Sequence, residues 1–180
     1  YPERAHRRDR DTSGCLLLAK KRQALLRLQE LQRDGAVDKR YRALLSGRIR
    51  KGAWRCELPL RKNTLKSGER IVRVDPEGKP AATAFKVLRR FADATLVEAR
   101  LETGRTHQIR VHAAAGGNAI LGDTKYACDA DQAIARAIGL KRLFLHAASL
   151  SFVDPDSARK MQFSAPLDDE LEQLLGVLRA

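Results

Sequence analysis

Short apolar segments bounded by Gly, Pro, Asp and Asn recur along most of this 180-residue chain. Only a few segments have both the length and the apolar spacing of a helix. The predicted strands are 15–19, 39–47, 54–60, 70–74, 84–90, 95–101, 142–152 and 160–163, and the predicted helices are 20–33, 106–115, 131–138 and 168–178. Many short strands with few helices indicate an α+β fold with a mixed, mostly antiparallel sheet. We expect a single domain over residues 1–180.

The chain is strongly basic, with a formal net charge of +13 and 24 arginines against 11 lysines. Because the planar guanidinium of arginine suits phosphate and base contacts, RNA is the partner that we predict. No segment resembles a signal peptide or a membrane-spanning helix, so no membrane partner is expected. Three cysteines without a Cys-x-x-Cys pair argue against a disulfide framework or structural zinc and favour a cytoplasmic protein.

The segment from Arg7 to Gly14 places two carboxylates among arginines immediately before a Thr-Ser-Gly turn. A carboxylate at such a position is exposed to substrate and is kept ionised by the neighbouring cations. Either Asp9 or Asp11 could therefore act as a nucleophile or general base. The alternative is a solvated loop in which Asp and Arg only neutralise each other.

A second candidate segment is 103–117, in which Gly104 permits a sharp turn and Thr106 is a suitable N-cap for a helix that ends at Ala115. Arg105 would then lie beside a helix N-terminus, where an anion is favoured. That anion could be an RNA phosphate or a carboxylate.

The other polar and aromatic candidates have structural interpretations when each is taken alone. The five-residue spacing of His107 and His112 does not fit a metal site; we expect His107 to hydrogen-bond within its turn and His112 to pack or touch RNA. His146, inside an apolar strand, is predicted to be a core residue. Trp54 is predicted to pack between strands. Judged only by its position in a strand, Tyr41 is predicted to be a half-buried packing residue whose hydroxyl forms a hydrogen bond at the edge of the core.

Three motifs taken together are more specific. They are the segment 6–14, the segment 39–47 (KRYRALLSG) and the segment 103–112 (TGRTHQIRVH). In this order and spacing they resemble the RluA family of RNA pseudouridine synthases. The segments 67–74 and 143–147 resemble the branch of that family that modifies large-subunit ribosomal RNA.

The resemblance implies the pseudouridine synthase fold, with two halves of one bent sheet, flanking helices and a central active-site cleft. It also implies a monomeric enzyme that isomerises uridines in large-subunit ribosomal RNA without a metal or cofactor. The implied catalytic set is Asp9 as nucleophile, Tyr41 stacked on the target base and Arg105 paired with Asp9. The implied RNA-binding and base-flipping residues are Arg7, Arg10 and Arg110, with Arg7 filling the place of the flipped base.

The sequence departs from the family at Arg8, where a leucine is usual. A charge in a packed site destabilises the fold unless it reaches water or a partner. A non-catalytic RNA-binding or ribosome-assembly module on the same fold is therefore the main alternative. A metal-dependent nuclease that uses Asp9 and Asp11 is a weaker alternative, because no further acidic residues lie nearby. The early position of the first motif suggests a fragment, with any small RNA-binding S4 domain upstream.

Overall fold

The computed structural model describes residues 2–5, 9–64 and 70–178. The strands of this part are β1 (Glu3–Arg4), β2 (Ser13–Gly14), β3 (Leu18–Ala19), β4 (Asp38–Ser46), β5 (Ala53–Cys56), β6 (Leu60–Thr64), β7 (Arg70–Val74), β8 (Thr83–Arg90), β9 (Ala94–Leu101), β10 (Leu145–Val153) and β11 (Lys160–Ser164). The helices are α1 (Arg22–Arg33), α2 (Gln108–Ala115), α3 (Asp129–Ala137) and α4 (Asp169–Val177).

One large sheet organises the fold, with the strand order β11-β10-β4-β9-β8-β5. All neighbours along this path are antiparallel, whereas β2 joins β10 in parallel. Two small antiparallel ribbons, β1-β3 and β6-β7, lie outside the large sheet. The predicted α+β class and the mixed, mostly antiparallel sheet are therefore confirmed.

Helices cover both faces of the large sheet. Side chains along a strand alternate between faces, and β4 follows this rule over its buried half. Ala43 and Leu45 belong to the hydrophobic cluster that contains Ile109 of α2. Leu44 belongs to a second cluster, which contains Leu171 of α4. The α2 face carries the candidate site.

The predicted hairpin in the middle of the chain is confirmed, since β8 and β9 pair from Thr83↔Leu101 to Arg90↔Thr95. Trp54 stacks on Phe85 with ring centroids 4.9 Å apart and planes 11° apart, which confirms its predicted packing role. His146 is also a satisfied core residue: its Nδ1 lies 2.9 Å from Ser13 Oγ and its Nε2 lies 3.0 Å from the Ala165 carbonyl oxygen.

The prediction of one buried strand at 15–19 is wrong. Only Ser13–Gly14 pairs with the large sheet; the chain then leaves it, and Leu18–Ala19 pairs with β1. Leu16 and Leu18 are exposed as a result. The turn at Gly14, where φ is +95°, redirects the chain in a way that an apolar run does not reveal.

The single strand predicted at 54–60 is divided between two sheets. β5 ends at Cys56, and Leu60 begins β6 of the separate ribbon. Pro59 lies at the division, and proline has no N–H group to donate to a strand ladder.

Candidate active site

A cleft of about 470 Å³ lies between the start of β4, the loop after β9 and the N-terminal end of α2. We call this space the cleft. It is lined by Asp9, Thr12, Lys39, Tyr41, Glu102, Arg105, His107, Gln108 and Arg110, together with residues at the end of α1. Three of the predicted catalytic side chains, from distant parts of the sequence, thus border one space.

Asp9 enters the cleft from a tight turn. The amide of Thr12 donates a hydrogen bond to the carbonyl oxygen of Asp9 at 3.1 Å, and Thr12 itself is buried. The Asp9 side chain remains 23% exposed, so its carboxylate can be reached from the cleft. Asp11, in the same turn, is exposed and borders a neighbouring groove instead.

Two nitrogen groups face the carboxylate of Asp9, one at each oxygen. Arg110 Nη1 lies 3.6 Å from Oδ2, and His107 Nε2 lies 3.7 Å from Oδ1. Both distances exceed a normal hydrogen bond, as is common at catalytic groups before substrate is bound. The guanidinium places a positive charge beside the carboxylate of Asp9.

Arg110 is held by Asp123, which is fully buried. Burial alone would lower the Arg110 pKa, but the hydrogen bonds and charge of Asp123 raise it overall. The guanidinium also lies over the Tyr126 ring, 5.1 Å from the centroid. The cation that faces Asp9 is therefore fixed in both charge and position.

Arg105 does not make the ion pair with Asp9 that the resemblance implied. Its Nε donates to the carbonyl oxygen of Pro80 at 3.0 Å, and the side chain is exposed at the edge of the cleft. Arg110, predicted to bind RNA, occupies the position beside Asp9 instead. Arg110 therefore takes the place beside Asp9 that was predicted for Arg105.

The start of α2 accounts for these placements. The N-cap of the helix is His107, in a left-handed conformation, one residue after the predicted N-cap Thr106. The Gln108 Oε1 accepts from the amide of Arg105 at 3.0 Å and from the Thr103 hydroxyl at 2.7 Å. This side chain closes the loop before the helix, which turns Arg105 outward and brings Arg110 into the cleft.

Lys39 and Tyr41 line the same side of the cleft and point there from alternate positions of β4. Burial lowers the pKa of the Lys39 ammonium. Tyr41 is buried and belongs to the hydrophobic cluster of α2, so it packs and lines the cleft at once.

Of the other predicted residues, those that the structure describes lie apart from the cleft. Arg10 is exposed and borders a groove of about 570 Å³ that also includes Lys141 and one side of Arg110. Arg7 and Arg8 lie outside the described residues. His112 is buried, with Nδ1 2.9 Å from the Thr83 hydroxyl and Nε2 2.9 Å from the Leu58 carbonyl oxygen, so it packs and does not touch RNA.

Sequence reasoning missed three residues around Asp9, namely His107, Asp123 and Tyr126. Asp123 and Tyr126 come from the segment 122–126, a short turn between α2 and α3. The signal was available: an aspartate and a tyrosine three residues apart in a short turn can both point to one partner. Asp123 Oδ1 accepts from the amides of Lys125 and Tyr126, at 2.9 and 3.1 Å, which fixes this turn.

Comparison with known families agrees with this geometry. The sequence profile of the RNA pseudouridylate synthase family matches residues 1–115, which include all of the segments that meet at Asp9 except the turn 122–126. The chain belongs to this family.

The chain is 51% identical over 182 residues to the ribosomal large subunit pseudouridine synthase C of Salmonella typhi. It is 48% identical over 180 residues to the protein of the same name from Haemophilus ducreyi. Both alignments cover 100% of this chain, but only 57% and 56% of those proteins. The chain therefore spans little more than half the length of these relatives.

Solved structures of this family share the fold. Human RNA pseudouridylate synthase domain containing 1 superposes with a TM-score of 0.85 over 99% of this chain and 74% of that one, at 24% identity. The pseudouridine synthase fold predicted from the sequence is confirmed.

Among the described helices, none is both long enough and apolar enough to cross a membrane. The described residues also contain no cluster of three or more His, Cys, Asp or Glu side chains arranged to hold a metal ion.

Proposed function

We propose that this chain forms the catalytic part of an RNA pseudouridine synthase that acts on uridines of large-subunit ribosomal RNA, with Asp9 as the nucleophile. The observation that carries the proposal is the accessible carboxylate of Asp9 with one nitrogen group facing each oxygen. Family membership supports the reaction class, and the names of the two bacterial relatives support ribosomal RNA as the substrate.

The isomerisation needs no other reactant. The bond between N1 of uracil and C1′ of the ribose breaks, the base turns, and C5 bonds to C1′. A proton leaves C5 and a proton is gained at N1, so atoms and charge balance. A carboxylate is suited to this work because it can bond to, or stabilise, the electron-poor C1′ while the base is free.

Each described side chain of the proposed site has a physical task. Arg110 places its positive charge beside Asp9 and directs one oxygen, the role that we expected of Arg105. Tyr41 presents an aromatic ring at the cleft, where a flipped uracil can stack. Arg105, exposed at the edge of the cleft, and Arg10, exposed at the neighbouring groove, would contact RNA phosphates.

The decisive experiment compares Asp9→Asn with Asp11→Asn. Asn keeps the shape of the side chain but cannot act as the anionic nucleophile, so Asp9→Asn should form no pseudouridine in a large-subunit RNA transcript. RNA affinity should hold or rise, because a negative charge near phosphates has been removed. Asp11→Asn should keep measurable turnover, since Asp11 lies outside the cleft. A chelator should have no effect.

Pseudouridine formed by Asp9→Asn would refute the assignment of the nucleophile. RNA binding without turnover in the unaltered protein would instead favour the non-catalytic RNA-binding module. RNA cleavage that a chelator abolishes would favour the nuclease.

A further inference from the structure

His107 adopts a backbone conformation that side chains rarely take. Its φ is +52°, in the left-handed region, at the N-cap of α2. Among the described non-glycine residues, only Ala158 shares this feature, with φ +54° in a turn remote from the cleft. Such strain persists where surrounding contacts require it, and at His107 those contacts are made by the imidazole ring.

Tyr126 orients that ring. The Val72 amide donates to the Tyr126 hydroxyl oxygen at 3.0 Å, and His107 Nδ1 lies 2.7 Å from the same oxygen. Within the described residues, Nδ1 is the only acceptor in reach of the Tyr126 hydroxyl hydrogen. The two rings also meet edge to face, with centroids 5.6 Å apart and planes 73° apart. We assign the Tyr126 hydroxyl as the donor to Nδ1, because its oxygen already accepts from the Val72 amide, and a neutral imidazole then carries its hydrogen on Nε2.

The Nε2 atom is the one that faces Asp9. We propose that His107 is a positioning residue for Asp9, and that the Tyr126 hydroxyl selects the tautomer whose Nε2–H points to Oδ1. This inference rests on the proposed function, because it assigns His107 to the same reaction. It makes His107 and Arg110 a pair of donors that fix the two oxygens of one carboxylate.

The two donors differ in charge, which matters for a nucleophile. Burial lowers the pKa of His107, and this effect outweighs the opposing charge of Asp9. His107 is therefore neutral near pH 7 and orients its oxygen without a second positive charge. A second cation would stabilise the free carboxylate further and reduce its tendency to attack C1′.

The test uses His107→Gly, which removes the ring while glycine accepts the positive φ. Its matched control is Ala158→Gly, which makes the same kind of change at the other left-handed residue. We expect kcat to fall at least about tenfold in His107→Gly with KM nearly unchanged, because the loss affects alignment and not RNA binding. Ala158→Gly should keep both constants. Added imidazole should raise the kcat of His107→Gly but not that of Asp9→Asn.

Two further variants separate positioning from folding. His107→Asn tolerates the left-handed conformation but does not reach Asp9, so it should lose kcat as His107→Gly does. Tyr126→Phe should lower kcat and shift the 15N resonances of His107 away from the Nε2–H tautomer. Circular dichroism would verify that each variant is folded.

The outcomes distinguish this inference from the proposed function. Suppose that the wild-type protein is active and that both His107 variants keep a kcat within about twofold of the wild-type value. That result would overturn the inference and leave the proposed function intact. A wild-type protein that forms no pseudouridine would overturn the proposed function, and the role of His107 with it.

Discussion

Arg110 and Asp123 form a buried two-point ion pair in which Nε donates to Oδ2 and Nη2 donates to Oδ1, both at 2.7 Å. Their side chains are 6% and 0% exposed. This geometry leaves Nη1 of the guanidinium to face Asp9. The carboxylate proposed to react is therefore positioned by a second carboxylate that the cleft does not expose.

Asp123→Asn tests this arrangement, because it removes one charge of a buried pair while it keeps the side-chain volume. We expect the free energy of unfolding to fall by about 3 kcal/mol or more and turnover to fall with it. Asp93→Asn is the matched control, since Asp93 is exposed, and should change stability by less than about 0.5 kcal/mol. Urea unfolding measures both; equal midpoints for the two variants would contradict the role of Asp123.

Lys39 provides a cation inside the cleft. Within the described residues its ammonium has no hydrogen-bond or ion-pair partner, and burial lowers its pKa. The charged form of Lys39 is therefore less favourable in the folded protein than in the unfolded chain, so this charge does not stabilise the fold. Its placement is suited to an RNA phosphate or a uracil carbonyl oxygen.

We therefore expect Lys39→Met to weaken RNA binding several-fold while stability holds or rises. Lys160→Met, at an exposed position on β11, is the matched control and should bind RNA nearly as the wild-type protein does. Filter binding at fixed salt concentration gives the comparison, since phosphate contacts depend on ionic strength. A Lys39→Met protein with unchanged affinity would exclude Lys39 from the RNA contact.

Two histidines should make the fold sensitive to mild acid. Burial lowers the pKa of both His107 and His112 from 6.5. The unfolded chain then binds more protons than the folded protein as the pH falls below about 6.5, so folding stability is complete above that pH and is lost as the pH falls through the lowered values. The pKa values of Asp38 and Glu102 are also lowered, from 3.8 and 4.5. Protonation of these two carboxylates therefore reduces folding stability only at a pH below those values.

The urea midpoint should accordingly be lower at pH 5.5 than at pH 7.5. His112→Gln should reduce this difference, because it removes one of the two groups. A midpoint that is constant between these pH values would contradict the predicted proton linkage.

Most strands could be predicted from the sequence because each is a local pattern closed by a local turn signal. The hairpin of β8 and β9 is an example, since its pairing follows from two apolar runs and a four-residue connection. The α1 helix likewise follows from the spacing of Leu25 and Leu28, which pack on the β1-β3 ribbon. The segment 15–19 failed because its contacts are divided, with Cys15 bonded to Ala147 of β10 and Leu18–Ala19 paired with β1.

The site was harder to predict, because its geometry depends on where one helix begins. Thr106 has the chemistry of an N-cap, but Gln108 closes the loop with its own side chain and moves the start of the helix to Gln108. The N-cap thus lies one residue later than predicted, at His107, and Arg110 of the first helical turn lies beside Asp9. The partner of Arg110 is Asp123, 13 residues away, and the spacing of Asp123 and Tyr126 within their turn is the only local sign of a shared partner.

Gly14 connects the segment that carries Asp9 to the large sheet. Gly14 pairs with Ala147 in the parallel β2-β10 ladder, and the Cys15 amide donates to the Ala147 carbonyl oxygen at 2.9 Å. A Cβ on Gly14 would lie 2.3 Å from that oxygen. Backbone atoms cannot move aside cheaply, so any larger residue must displace the strand that follows Asp9.

Gly14→Ala should therefore cost more stability than Gly35→Ala, although both glycines have positive φ values, of +95° and +69°. A Cβ on Gly35 meets nothing within 4 Å, so Gly35→Ala should cost only the strain of the left-handed conformation, about 1 kcal/mol. Gly14→Ala adds a backbone clash and should cost about 2–4 kcal/mol, with a loss of turnover as Asp9 shifts. Urea unfolding and pseudouridine assays of both variants provide the comparison, and equal losses would mean that the β2-β10 contact does not hold the catalytic segment in place.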